Sequence, residues 1–262
     1  MDTDMRGRTA VVTGASKGIG LAVTRALTDC GAHVVAGSRS LSDGLRELVD
    51  AGRATFVQGD LSTPAGPAAL VAAAVQRGGP DILVNNVGGV TPRPDGFTSI
   101  SDAHWTATWD LGFMTAVRTT REAVPPMAAK GGGVIVMVGS VNAFLPDPLV
   151  LDYSVIKAAL TNLAKGLSKE LGPRGIRVVS VSPGPVETDL WLGESGMAKT
   201  MAHATGKPPE AISAGAVDTT PLGRFSTPTQ VADLITFLAS DRAANITGAD
   251  VTIDAGMITT MR

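Results

Sequence analysis

Tyr153 and Lys157 stand four residues apart, and Ser140 lies thirteen residues before the tyrosine. On a helix the first two share a face about one turn from each other. A phenol can donate a proton to a carbonyl oxygen, but its ordinary pKa of about 10 makes the return step poor at neutral pH. A neighbouring ammonium stabilises the phenolate and lowers that pKa, so the pair has the make-up of an acid/base unit for carbonyl reduction. A hydroxyl such as that of Ser140 can hydrogen-bond a substrate oxygen and hold it near the phenol. Tyrosine and lysine at this spacing are also an ordinary helix-surface contact, so the surrounding residues must decide. Tyr153 is the chain's only tyrosine.

A second group of residues has the chemistry of phosphate binding. Thr13-Gly14-Ala15-Ser16-Lys17-Gly18-Ile19-Gly20 joins an apolar run to a helical pattern. Glycines there permit a tight turn and let backbone N–H groups approach a pyrophosphate at a helix N-terminus. The spacing Gly-x-x-x-Gly-x-Gly differs from the usual dinucleotide fingerprint, and no Gly-Lys-Ser/Thr makes it a Walker loop. A plain tight turn is the other reading.

Competing chemistry is poorly supplied. His33, His104 and His203 are scattered and show no metal-ligand spacing, and the single Cys30 excludes a cysteine-based zinc site. No metal is expected. No Gly-x-Ser-x-Gly nucleophile elbow occurs. Trp105, Trp109 and Phe113 share a helical stripe and read as packing residues. Cys30, before Gly31 at a helix end, reads as a buried packing thiol.

The elements that must carry these residues alternate. Strands are expected at Thr9–Thr13, His33–Gly37, Thr55–Gly59, Asp81–Asn85, Val134–Gly139, Ile176–Ser182 and Asp250–Ile253, several apolar at nearly every position, as strands covered on both faces are. Ile19, Val23, Ala26 and Leu27 fall near one helical face, as do Val231, Leu234, Ile235 and Leu238. Alternation of this kind predicts an α/β fold of Rossmann type, a doubly wound, seven-stranded parallel sheet with helices on both faces. No linker or repeat divides the chain, so residues 1–262 read as one dinucleotide-binding and catalytic domain. The stretch of about 190–222, broken by glycines and prolines, reads as a substrate lid within it. Its Leu190, Trp191, Leu192, Met197 and Met201 suit an apolar pocket, the core or an oligomer contact equally well.

In order and spacing these motifs resemble the classical short-chain dehydrogenase/reductase family, and within it NADP-dependent ketoreductases such as the 3-oxoacyl-carrier-protein reductase group. The glycine turn resembles the family's cofactor loop, and Asp60-Leu61 the pair that meets adenine. Asn85-Asn86-Val87-Gly88 resembles its Asn-Asn-Ala-Gly, and Ser140, Tyr153 and Lys157 its catalytic signature. Pro183-Gly184-Pro185-Val186-Glu187-Thr188 resembles the segment lining nicotinamide, and Thr247-Gly248 with Asp254-Ala255-Gly256 the closing strand. The resemblance implies hydride transfer between NADP(H) and a carbonyl or secondary alcohol. Tyr153 would be the general acid/base, Lys157 would lower its pKa and bind the ribose, and Ser140 would position the substrate oxygen. It implies cofactor contacts from Gly14, Ser16, Lys17, Gly18, Ile19, Gly20, Ser38, Arg39, Asp60, Leu61, Asn86, Gly88, Tyr153, Lys157, Pro183, Val186 and Thr188, and a homotetramer.

NAD-preferring relatives generally carry an acidic residue where Ser38 sits. A small neutral residue followed by Arg39, with Lys17 in the turn, offers two cations to a 2′-phosphate, so NADP(H) is expected. The clearest departure is Gly112, at the place where relatives usually carry a catalytic asparagine at a helix irregularity. The carbonyl there remains, so a proton relay through the backbone is expected to survive, with Asp110 or a water in place of the missing amide. Relatives also include epimerases, dehydratases and lyases, and a non-catalytic dinucleotide-binding regulator is a further alternative.

Composition sets the remaining bounds. A 44% hydrophobic and 18% charged chain is globular, and a net charge of −2 with no basic run leaves no footprint for nucleic acid or an anionic membrane. Val134–Pro146, the longest uncharged apolar stretch, is too short to span a bilayer. The N-terminus shows no apolar signal region, and a reducing, cytoplasmic home is expected for a chain without disulfides.

Overall fold

The computed structural model describes residues 3–194, 196–218 and 220–260. Met1 and Asp2 of the N-terminal reading, Ser195 and Thr219 of the expected lid, and the last two residues of the range 1–262 lie outside the described residues.

Valine- and isoleucine-rich runs form seven strands: β1 (Thr9–Thr13), β2 (His33–Ser38), β3 (Ala54–Gln58), β4 (Ile82–Asn85), β5 (Gly133–Val138), β6 (Ile176–Pro183) and β7 (Asp250–Ile253). Each boundary falls within one residue of the sequence expectation. The strands make one parallel sheet in the order β3-β2-β1-β4-β5-β6-β7. Alternate residues of a strand face opposite sides of the sheet, and two cores result. Ala10, Val12, Val34 and Val136 pack with α1 (Gly18–Asp29), α2 (Asp43–Asp50) and, later in the chain, the helix Pro228–Ala239. Val11, Val35, Leu83 and Ile135 pack on the other side with α3 (Ala65–Val75), the helix Thr115–Ala129 and the helix Leu151–Leu171.

Between α3 and the last of these comes α4 (Asp102–Trp109), which runs through a π-helical segment at Asp110–Met114 into α5 (Thr115–Ala129). Helix α6 is Leu151–Leu171. The expected lid folds as three short helices, α7 (Asp189–Leu192), α8 (Met197–Thr205) and α9 (Pro209–Val217), before α10 (Pro228–Ala239) returns to the sheet. No helix among the described residues is long and apolar enough to cross a membrane.

Two packing expectations need correction. Cys30 is half-buried rather than buried, because it caps α1 at the surface with its Sγ 3.1 Å from Thr3 Oγ1. In the aromatic stripe Trp109 and Phe113 pack together, ring centroids 4.3 Å apart, yet Trp109 stays 38% exposed and no residue of α4 is buried.

β1 and β4 are neighbours whose chains leave the sheet in opposite directions. In open α/β sheets ligands sit at such a reversal, outside the carboxyl ends of the strands. The loops after β1, β4, β5 and β6 therefore converge on one edge of the sheet.

Candidate active site

Thr13, the last residue of β1, organises the first of these loops. Its Oγ1 accepts from the N–H groups of Asn86, at 2.9 Å, and Val87, at 3.1 Å, which ties the end of β4 to the glycine turn. Asn86 Nδ2 returns bonds to the carbonyls of Thr13 and Gly14. Gly14 and Gly18 take positive φ of 69° and 54°, a backbone that favours glycine. A Cβ on Gly18 would lie 3.3 Å from Thr188. The turn then enters α1, whose first N–H groups have no intrahelical acceptor.

One cleft of about 1120 Å³ takes in nearly every residue expected at a dinucleotide site. Gly14, Ser16, Lys17, Gly18 and Ile19 line it, with Ser38, Arg39, Asp60, Leu61, Asn86 and Gly88. Pro183, Val186 and Thr188 line it from the far side, and Ser140, Tyr153 and Lys157 stand in its wall. Gly20 does not. A Cβ there would sit 2.1 Å from the Gly14 carbonyl, so Gly20 lets α1 approach the turn and is a packing residue, not a wall.

Lys17 and Arg39 are exposed along this cleft, while Ser38 is buried with its hydroxyl donated to the Ser40 carbonyl at 2.8 Å. Asp60 is held below the usual carboxylate range by two hydrogen bonds from Ser62, helped by the charge of Arg39. The glycine cradle, the open helix end and two cations without an acidic residue at position 38 could hold a dinucleotide with an extra phosphate.

The candidate acid/base residues come from two segments of the chain. Ser140 follows β5, accepts from the Asn142 N–H at 3.2 Å and donates to Asn142 Oδ1 at 3.1 Å. Tyr153 and Lys157 share a face of α6, with Lys157 Nζ 5.5 Å from the tyrosine ring centroid. Lys157 is 3% exposed and donates to the Val138 carbonyl at 2.7 Å. A Cβ on Gly88 would stand 3.5 Å from that same Nζ.

The electrostatics differ from the sequence expectation in one respect. Burial pushes the Tyr153 phenol above its ordinary value, and a hydrogen bond with Ser140 opposes the rise. Burial also pulls Lys157 down to about 8. The positive charge that was to lower the phenol pKa is itself destabilised by the low-dielectric wall, and desolvation wins.

The helix irregularity expected at Gly112 is present as the π-helical turn. Asp110 does not replace the missing amide, because its carboxylate pairs with Arg118 at 3.1 Å. The turn is braced by Thr115 instead, whose single hydroxyl proton lies between two acceptors, the carbonyls of Leu61, at 2.9 Å, and Asp110, at 3.2 Å. Gly112 is buried, and a Cβ on it would come 3.0 Å from Ile156 Cγ2, next to Lys157.

Three features of the site went unread in the sequence. The side-chain roles of Thr13, the first residue of the glycine turn, and of Asn142, two residues after Ser140, are two of them, and each bonds a motif residue. The third is an ion pair between Arg93 and Asp152, which joins the loop after β4 to the first turn of α6. No local pattern marks residues that distant as partners.

A family model described as Enoyl-(Acyl carrier protein) reductase matches residues 14–258. The chain is 36% identical to 3beta-hydroxysteroid dehydrogenase 1 of Eggerthella lenta over 264 residues, 98% of this chain and 96% of the relative. It is 33% identical to human dehydrogenase/reductase SDR family member 4 over 270 residues, 96% of this chain and 88% of that one. Its fold is similar to that of L-sorbose reductase from Gluconobacter frateurii complexed with NADPH and L-sorbose, with a TM-score of 0.90, 35% identity and all of both chains covered. The matched span takes in the glycine turn, the Tyr153–Lys157 pair and the closing strand, and the chain belongs to the short-chain dehydrogenase/reductase family.

Proposed function

We propose that the chain is an NADP(H)-dependent oxidoreductase that interconverts a carbonyl and a secondary alcohol. The observation that carries this reading is the convergence of Ser140, Tyr153 and Lys157 on the cleft that the glycine turn, Lys17 and Arg39 also line. Related structures contain NADPH or NADP, including the sorbose reductase and a 3-oxoacyl (acyl-carrier-protein) reductase from Agrobacterium tumefaciens.

When bound, NADPH supplies the hydride that the carbonyl carbon accepts. Tyr153 holds the proton for the substrate oxygen, and its raised pKa keeps that proton in place until the oxygen becomes basic. Ser140, whose Oγ is held by the Asn142 N–H, turns its hydroxyl proton from Asn142 Oδ1 to the substrate oxygen and fixes where that oxygen stands. Lys157 keeps a cation beside the phenol ring and, through the space left by Gly88, reaches the ribose. Lys17 and Arg39 meet the 2′-phosphate. Residues 1–262 act as one dinucleotide-binding and catalytic unit. Family resemblance supports a homotetramer, the single cysteine is in keeping with a reducing, cytoplasmic home, and sedimentation at 26.7 kDa rather than four times that mass would contradict the tetramer.

The test is NADPH consumption with a panel of ketones and NADP reduction with alcohols. Turnover with stoichiometric oxidation of NADPH is expected. Tight cofactor binding without turnover would make the chain a regulator, and conversion of substrate without net consumption of cofactor would make it an epimerase or lyase.

A further inference from the structure

Leu190, Trp191, Met197 and Met201 all line the cleft that holds Tyr153, which decides the role that the sequence left open. Leu192 does not line it and is 46% exposed. Trp191 comes from α7 and is fixed by Phe225, whose ring meets it edge-on at 5.5 Å and 75°. Met201 on α8 is 8% exposed, and Ile212 on α9 adds a branched side chain to the same lining. The 141–150 loop contributes Leu145 and Leu149.

Polar side chains on these segments are already engaged or stand outside. Asn142 is bonded to Ser140, and Asp147 Oδ1 accepts from the Leu149 N–H at 2.9 Å. Asp189, Lys207 and Thr259 line the cleft but are exposed. Among the described residues, a substrate that buries its body among α7, α8, α9 and this loop therefore finds mainly hydrocarbon and sulfur, with donors and acceptors concentrated around Tyr153, at the half-buried Asp147 carboxylate and at solvent. Buried hydroxyls without partners lose the bonds they made to water, while CH₂ groups gain by leaving it. The two methionines adapt to irregular apolar shapes, and the pinned indole supplies a rigid face.

We infer that the substrate is a ketone or secondary alcohol with a hydrocarbon body, alicyclic or a medium-length alkyl chain, whose single buried oxygen meets Tyr153 and Ser140. This rests on the carbonyl-reductase reading and narrows it to substrates that are not polyhydroxylated.

The test compares kcat/KM with NADPH for 4-methylcyclohexanone and 2-octanone against L-sorbose and D-fructose. The hydrocarbon ketones are expected to be favoured by about a hundredfold or more, since several hydroxyls must be stranded in an apolar pocket. Turnover favouring the sugars would overturn the inference and leave the reductase reading standing. Turnover of none of the four would count against the reductase reading; calorimetry of 4-methylcyclohexanone and L-sorbose with the NADPH-loaded protein then still decides the pocket, and tighter binding of the sugar would overturn it. Met201→Gln, close in shape but polar, is expected to lower kcat/KM for 4-methylcyclohexanone at least about fivefold with NADPH affinity unchanged. Ile212→Thr serves if that variant does not fold. An unchanged kcat/KM in a folded variant would remove the assigned wall.

Discussion

Arg93 and Asp152 form an ion pair at 2.8 Å, with side chains only 12% and 2% exposed, one residue before Tyr153. Asp152 Oδ2 also accepts from Thr108 of α4, and Oδ1 accepts from the N–H of Tyr153 itself. One carboxylate thus joins the loop after β4, α4 and the first turn of α6. Removing it leaves a largely buried guanidinium without its partner, and such losses cost about 3–5 kcal/mol. Asp152→Ala should lower the melting temperature on the order of 10 °C. A shift within a degree or two of wild type would show that the pair contributes little.

That pair also marks where reading the chain stopped. Strands were legible because runs such as Val134–Val138 are apolar on both faces and so declare a covered parallel sheet. The candidate acid/base residues could be picked out because their chemistry and spacing are local, and the fold brings all three to one cleft. Arg93 and Asp152 are separated by 59 residues, and nothing periodic links them. Gly20 has the same letter as Gly14 and Gly18, and only the close carbonyl reveals that it packs α1 rather than lining the cleft. The rise in the Tyr153 pKa was hidden for another reason: charges can be counted along a sequence, but burial cannot.

Arg39→Asp should reverse the cofactor preference from NADPH to NADH. The change removes a cation from the cleft edge and adds an anion near Asp60, whose carboxylate already feels Arg39. The loss in NADPH kcat/KM should be on the order of a hundredfold, about 3 kcal/mol, as for one or two charge-assisted bonds. An unchanged NADPH-to-NADH ratio would show that Arg39 does not meet the 2′-phosphate.

Lys157 gives the protein a pH-dependent stability. Burial lowers its pKa from 10.5 to about 8, so between these values the unfolded chain binds more protons than the folded one. Stability then rises with pH across that window, is complete above 10.5, and is lost as pH falls to 8. Measured by denaturation without cofactor, wild type should gain about 2 kcal/mol on Lys157→Met between pH 7 and 9.5. A difference that stays flat or falls with pH would mean that Lys157 is not desolvated.

Gly112→Asn restores the side chain that relatives usually carry, against a neighbour 3.0 Å from the new Cβ. Ile156 must shift by a few tenths of an ångström, while Thr115 continues to brace the π-helical turn. The expected change in kcat is less than about tenfold, or roughly 1.4 kcal/mol in barrier height. A gain of about a hundredfold or more would show that glycine impairs the native protein and would favour the regulator reading.

The central claim is that the Tyr153 hydroxyl is the proton donor, and Tyr153→Phe tests it most directly. The substitution removes one oxygen and leaves the ring beside Lys157, so packing and cofactor contacts should persist. Steady-state rates with NADPH and a ketone, together with NADPH affinity by fluorescence titration, separate chemistry from binding. The account predicts that kcat falls at least about a thousandfold while NADPH affinity stays within a few fold. A variant that keeps more than about a tenth of the wild-type kcat would contradict it.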